Sequence, residues 1–243
     1  MLSSFWTHSK KRESSPSIGL PQGCKAYGSL ASKSNIGRWV DIWKQKGKSL
    51  TFKLVLAGSR TAEISGISAA GLTAESRRYT ALADAELLLK GPLKEPRWKL
   101  PPLSAGFSPA LISYIGSKYL DLSPLIISAG LFEEPNFPHY SIEVPSKGPS
   151  ECIGSGKAMS YDRVKFLWES SFSLGKRTVK PLIIAECIPG GTTTAQAVMT
   201  AMGIPVGDCM GSSVLNPPLL LKETLVQKGL EKAALETNSP PED

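Results

Sequence analysis

The sequence predicts an α/β protein built as a three-layer, mostly parallel sheet with helices on both faces, doubly wound. Three observations lead there. Phe52–Ala57, Pro124–Ile127 and Pro181–Ile184 are short apolar runs of strand length, and the last two are near-copies of one another. Segments with apolar residues at helical spacing precede or follow each of them. At 243 residues and 41% hydrophobic content, the chain is long enough to bury a substantial core. Alternating strands and helices make a parallel sheet the economical solution, because each crossover lays a helix against the sheet.

The elements follow in order. Residues 1–35 mix Ser, Gly, Pro and Lys without an apolar period, so they read as a basic, Ser-rich extension outside the fold. The net charge of +7 resides in the first fifty residues, where nine Lys or Arg face only Glu13 and Asp41. Such a basic, acid-poor segment could serve as an organelle transit peptide or a phosphate-binding arm, but most such segments are simply solvated and mobile. The α/β domain is expected over 36–236. Ile36, Trp39, Val40 and Trp43 fall at i, i+3, i+4 and i+7 of a first helix. The strand Phe52–Ala57 ends at Gly58. Ser108-Pro109 offers an N-cap and an N1 proline for a helix carrying Leu111, Ile112 and Ile115. A further helix is expected over Tyr161–Leu174, with Val164, Leu167 and Trp168 on one face, and another over Thr194–Met202, stopped by Gly203. The tail 237–243, with Pro240 and Pro241, is expected to fray. No run approaches the roughly 18 apolar residues of a membrane span, and no secretory signal opens the chain. The reading is a Rossmann-like, cytoplasmic protein with no membrane partner. Cys24, Cys152, Cys187 and Cys209 lack any CxxC spacing, so neither a metal site nor a disulfide framework is expected.

The chemistry concentrates in one loop. Pro181 to Met202 orders a buried strand, an acid at its carboxyl end, a glycine–threonine turn and a helix. Gly190 and Gly191 let backbone N–H groups approach an anion, Thr192, Thr193 and Thr194 add hydroxyls, and the helix N-terminus adds partial positive charge. Glu186 stands where open α/β sheets bind ligands and is suited to ribose hydroxyls. The same residues also suffice for a simple turn and helix cap. Gly154-Ser-Gly-Lys157 imitates a phosphate-binding P-loop but has Glu151 and Ala158 at two required positions. Cys187 lacks the close-set glycines of a nucleophile elbow and reads as a buried structural thiol.

A second segment, Ile64 to Thr73, is dominated by small residues and is followed by Arg77-Arg-Tyr-Thr80 and Ala83-Asp-Ala-Glu86. Ser68, Ala69, Ala70 and Gly71 would let backbone and ligand meet closely, with Arg77 or Arg78 pairing an anionic group. Tight helix-to-sheet packing with solvated arginines is the plain alternative.

Taken together, Leu54–Gly58, Gly66–Gly71, Arg78–Thr80, Ala83–Glu86, Gly106–Ala110, Ala129–Leu131, Gly156–Ala158 and Glu186–Thr194 resemble the cyanobacterial and archaeal branch of the nicotinate-nucleotide dimethylbenzimidazole phosphoribosyltransferase family. The resemblance implies transfer of phosphoribose from nicotinate mononucleotide to a benzimidazole-type base in cobalamin lower-ligand assembly. It implies small-molecule partners, no metal or other cofactor and no nucleic acid, and it leaves room for a homodimer. In that family the glycine–threonine loop holds the phosphate and the preceding glutamate contacts ribose, roles that fall here on Gly190, Gly191, Thr192, Thr193 and Glu186. Two departures stand out. Family members carry an acid where this chain has Ser128, and they continue beyond the point where it ends, into the region that supplies the general base. Glu86 is the candidate carboxylate within the chain. Binding is therefore expected more firmly than turnover, and a non-catalytic nucleotide-binding protein is the alternative from another class. A phosphoribosyl-pyrophosphate-dependent transferase is a further alternative, but its loop offers two adjacent acids where Cys187 follows Glu186, and it would need Mg²⁺.

Overall fold

The computed structural model describes residues 20, 22, 25, 30–46, 50–102, 108–211 and 216–233. Most of the 1–35 extension, the tail 237–243 and Gly106-Phe107 lie outside these. The chain forms two compact units, Met1–Leu50 and Thr51–Asp243. The first contains α1 (Leu30–Lys46), which starts ahead of the Ile36 expected from the apolar stripe. The unit holding the sheet begins at Thr51.

In that second unit four strands form one parallel sheet in the order β3-β2-β1-β4. They are β1 (Thr51–Ala57), β2 (Pro124–Ala129), β3 (Tyr140–Ser141) and β4 (Leu182–Cys187). The chain builds outward from β1 through β2 to β3, then returns to place β4 on the other side of β1. That reversal is the doubly wound pattern, and it opens a crevice beyond the carboxyl ends of β1 and β4.

Register fixes which residues meet the helices. Leu54 lies opposite Ile126 on one side and Ala185 on the other, and Leu56 lies opposite Ser128 and Cys187. Phe52, Leu54, Leu56 and Ile126 pack with Ala81, Leu82, Ala85 and Leu88 of α2 (Ala74–Lys90), and Trp98 and Phe137 close the cluster edge to face at 5.8 Å. Each fully buried leucine here contributes about 1.5–3 kcal/mol. Helix α2 starts at a capping box in which Thr73 and Ser76 satisfy one another's backbone N–H groups, and it ends at Gly91. It is not among the helices that periodicity predicts, because residues 80–88 are buried on nearly every side except at Asp84, leaving no polar stripe to mark a face. Helix α3 (Pro109–Tyr119) follows the expected Ser108 cap and N1 proline.

Helix α4 (Tyr161–Lys176) is less covered than its apolar stripe predicts. It forms where predicted but buries none of its residues, and Trp168 is 73% exposed. Ile184 of β4 is 67% exposed. The parallel α/β order holds, yet the apolar stripe of α4 stays largely uncovered. What anchors α4 is polar: Arg163 makes a bidentate pair with buried Glu143 and donates to the Gly148 carbonyl at 2.6 Å. Beyond the strand ends, α5 (Gly191–Ala201) and α6 (Leu219–Ala233) pack together around Ala197, Val226 and Leu230.

Candidate functional site

Strand β4 runs past the apolar stretch seen in sequence because its pairing with β1 continues, Val55 opposite Glu186 and Leu56 opposite Cys187. The chain then turns at Ile188-Pro-Gly190, with Gly191 N–H donating to the Ile188 carbonyl at 2.8 Å. Gly190 has φ +76°, and a Cβ there would lie 3.2 Å from the backbone nitrogen of Ala62. Only glycine meets both demands. Helix α5 starts at Gly191 rather than Thr194, so the three threonines form its first turn instead of a loop. At 3.6 residues per turn they cannot all face one way. Thr192 faces the cleft, Thr193 is fully buried with its Oγ1 unpartnered, and Thr194 is half-buried away from the cleft lining.

The cleft itself has a volume of about 620 Å³. Glu186, Gly190, Gly191 and Thr192 line one end, and Ser68, Ala69 and Ala70 approach from the small-residue segment. Those seven residues are the predicted ones that the fold brings together. Gly71 is buried outside the lining, where its carbonyl accepts from Arg77 Nη1 at 2.8 Å. Arg77 also donates to the carbonyls of Ala62, Glu63 and Ile64, so it fixes the segment rather than waiting for a ligand. Arg78 pairs with Glu63 at 2.6 Å and stacks over Phe132 at 5.6 Å, likewise outside the lining. Glu86 is buried on another side of α2, bonded to Lys90 Nζ at 2.9 Å and to the backbone N–H groups of Arg97 and Trp98. It lines a separate pocket, not the cleft.

Two groups were not singled out by the sequence, one in the cleft lining and one buried behind it. Asp84, two positions before Glu86, lines the cleft and accepts hydrogen bonds from Ser108 Oγ at 3.1 Å and Cys187 Sγ at 3.2 Å. Burial pushes its carboxyl up, while those two donors hold it back. The Cys187 thiol is raised well above its ordinary value by burial and by the neighbouring Asp84 and Glu186 charges, so it remains an S–H donor and not a thiolate nucleophile. His139, hydrogen-bonded to the Phe137 carbonyl, is not in the cleft lining. Lys222 of α6 is the second group. It is fully buried, and its Nζ donates to Thr192 Oγ1 at 3.0 Å and to the Gly211 carbonyl at 2.8 Å, both on residues of the cleft wall. No local signal could have found it, because its partners lie thirty and eleven residues away in sequence. Glu186 stands exposed at the cleft, its carboxyl raised by the burial it does have and partly held back by the Ile188 backbone N–H.

Among the described residues no cluster of three or more His, Cys, Asp or Glu could hold a metal ion, and no helix is long and apolar enough to cross a membrane.

No family model matches the chain. Individual proteins do. It is 51% identical to a UPF0284 protein of Prochlorococcus marinus strain MIT 9313, over 94% of this chain and 57% of that one. The chain is a homologue of the UPF0284 family. Another member, from Parasynechococcus marenigrum strain WH8102, is 49% identical over 89% of this chain and 55% of its own length. A third, from Thermosynechococcus vestitus, is 41% identical over 88% and 57%. The chain thus spans somewhat over half the length of the UPF0284 relatives it matches. Among solved structures, CobT from Thermus thermophilus superposes with a TM-score of 0.51 at 14% identity, covering 78% of this chain and 55% of that one. At that identity the likeness is one of fold, and it agrees with the family resemblance read from the sequence.

Proposed function

We propose that this chain binds nicotinate mononucleotide in the cleft and serves, in the cytoplasm, a transfer of phosphoribose to a benzimidazole-type base. The observation that carries the reading is Lys222. A buried ammonium is costly to desolvate, and its described partners here are a hydroxyl and a carbonyl, neither of which carries charge. Burial accordingly lowers its pKa. An ammonium has three donors, so one remains for an anion arriving at the first turn of α5. There the helix N-terminus, the Cβ-free approach at Gly190 and Gly191, and the Thr192 hydroxyl converge on the same place. A phosphate at that point would compensate the charge of Lys222 and leave Glu186 to accept ribose hydroxyls.

The fold likeness to CobT and the ordered sequence resemblance support the choice of this phosphoribosyl donor over other phosphates. In the transfer, a ring nitrogen of the acceptor base attacks the anomeric carbon as the bond to nicotinate breaks. The chain's part is to fix phosphate and ribose so that this attack is in reach.

Calorimetric titration of nicotinate mononucleotide tests the reading. The unaltered chain should bind, and Lys222→Met should bind about ten- to a hundredfold more weakly, the worth of one charge-assisted hydrogen bond. Equal affinities, or no binding by the unaltered chain, would reject it. Nicotinate release with dimethylbenzimidazole then tests turnover.

A further inference from the structure

We infer that α4 pairs antiparallel with α4 of a second copy of this chain, through an aromatic stripe on its outward side. The helix carries two stripes. Its half-buried positions, Arg163, Leu167, Ser170 and Leu174, recur at helical spacing and form the side turned to its own unit. Tyr161, Val164, Trp168 and Phe172 recur at i, i+3, i+7 and i+11 on another side, and all four are exposed. Single exposed apolar residues are ordinary on a protein surface, but three aromatic side chains in one row mark a contact surface.

Size and charge both fit that surface to itself. An antiparallel pair with its two-fold axis at Trp168 sets each residue against the one equally far beyond Trp168. Val164 then meets the partner's Phe172, and Tyr161 meets the partner's Gly175, a ring against a residue with no side chain. Gly175 has no such reason within its own chain, since a Cβ there would meet nothing within 4 Å and its φ is not left-handed. Glycine costs a helix about 1 kcal/mol against alanine, and a ring packed close against it offsets that.

At 3.6 residues per turn, Asp162, Lys165, Glu169 and Lys176 all fall on one flank of the stripe. The two-fold axis turns that flank towards itself. Lys165 then lies within two residues, about 3 Å along the axis, of the partner's Glu169, and Lys176 lies at the same offset from the partner's Asp162. Symmetry doubles both pairs. Among the described residues none of these four forms an ion pair within the chain, and Lys176 lies over the Phe172 ring at 5.1 Å, at the edge of the stripe. Two acids beside two bases also argue against a lipid surface as the occupant, because an interfacial helix is rich in Lys and Arg on its polar face. One stripe on a helix of 16 residues is smaller than a standard interface, so the dimer is a weak one, in the micromolar range.

Sedimentation equilibrium of the full chain across the micromolar range tests this. The unaltered chain should pass reversibly from monomer to dimer. Trp168→Glu should weaken association about thirtyfold or more, as loss of a central aromatic anchor does. Lys165→Glu and Glu169→Lys should each weaken it about tenfold, because each sets two like charges together twice, and the double variant should restore it. All three positions are exposed, so melting temperatures should stay near that of the unaltered chain. A monomer at every concentration, a dimer indifferent to Trp168→Glu, or a double variant no better than the singles overturns the inference. So does a chain that stays monomeric alone but is bound through Trp168 by phosphatidylglycerol vesicles, or by the separately produced remainder of a UPF0284 relative, which would assign the stripe to that occupant.

Discussion

Two acids two positions apart on α2 respond to the fold in opposite directions. Burial raises the Asp84 carboxyl against the hydrogen bonds from Cys187 and Ser108. For Glu86 burial is again the largest influence and acts upward, but Lys90 and the N–H groups of Trp98 and Arg97 outweigh it, so the net shift is downward. The linkage signs follow. A raised folded pKa means that Asp84 disfavours the native state once pH climbs through it, and is neutral to stability below the ordinary carboxylate range. A lowered folded pKa means that Glu86 favours the native state above that range and ceases to as pH falls. Asp84→Asn should therefore melt higher than the unaltered chain at pH 7, and Glu86→Gln lower, with both differences shrinking towards pH 3. Melting temperatures at the two pH values decide it. A lower melting temperature for Asp84→Asn at pH 7 would show that its hydrogen bonds outweigh its desolvation.

Element by element, the site depends on how α5 begins. Because the helix starts at Gly191, the turn before it must take a left-handed residue pressed against Ala62, and Gly190 fills that place. Gly190→Ala should cost about 1–2 kcal/mol for the left-handed conformation, plus the displacement of a backbone nitrogen 3.2 Å from the new Cβ. A urea midpoint shift equivalent to less than about 0.5 kcal/mol would show that the turn relaxes. The same start turns Thr193 inward, so its hydroxyl is not one for a ligand in the cleft, whereas Thr192 keeps its place beside Lys222. Arg77 does for the small-residue segment what Gly190 does for the turn. By gathering four carbonyls it holds Ser68 to Ala70 against the cleft without touching a ligand itself.

For the whole molecule, the core cluster from Phe52 to Phe137 lies entirely within the second unit, as does every residue of the cleft. Deleting residues 1–50 should leave that unit folded. The check is a cooperative thermal transition within a few degrees of the intact chain, and its loss would show that the first unit is needed for folding. The same unit leaves Trp168 and Ile184 largely exposed. An amphipathic stripe in a sequence shows that a helix can bury one face, not that a partner surface lies within reach.

Sequence alone determined the parallel α/β order, the positions of β1, β2, β4, α3 and α4, and a glycine turn between β4 and the following helix, because strand length, caps and glycine turns are local properties; that the helix begins at Gly191 and takes in Thr192 to Thr194 it did not show. Helix α2 escaped it because burial on most sides erases periodicity. The choice of Asp84 over Glu86 escaped it too, since the two differ only in which side of α2 faces the cleft. Lys222 was out of reach altogether, because a buried ammonium is recognised by its neighbours, and those are assembled only when α6 packs on α5. Tertiary structure decided these three, and with them the buried ammonium on which the proposed function depends.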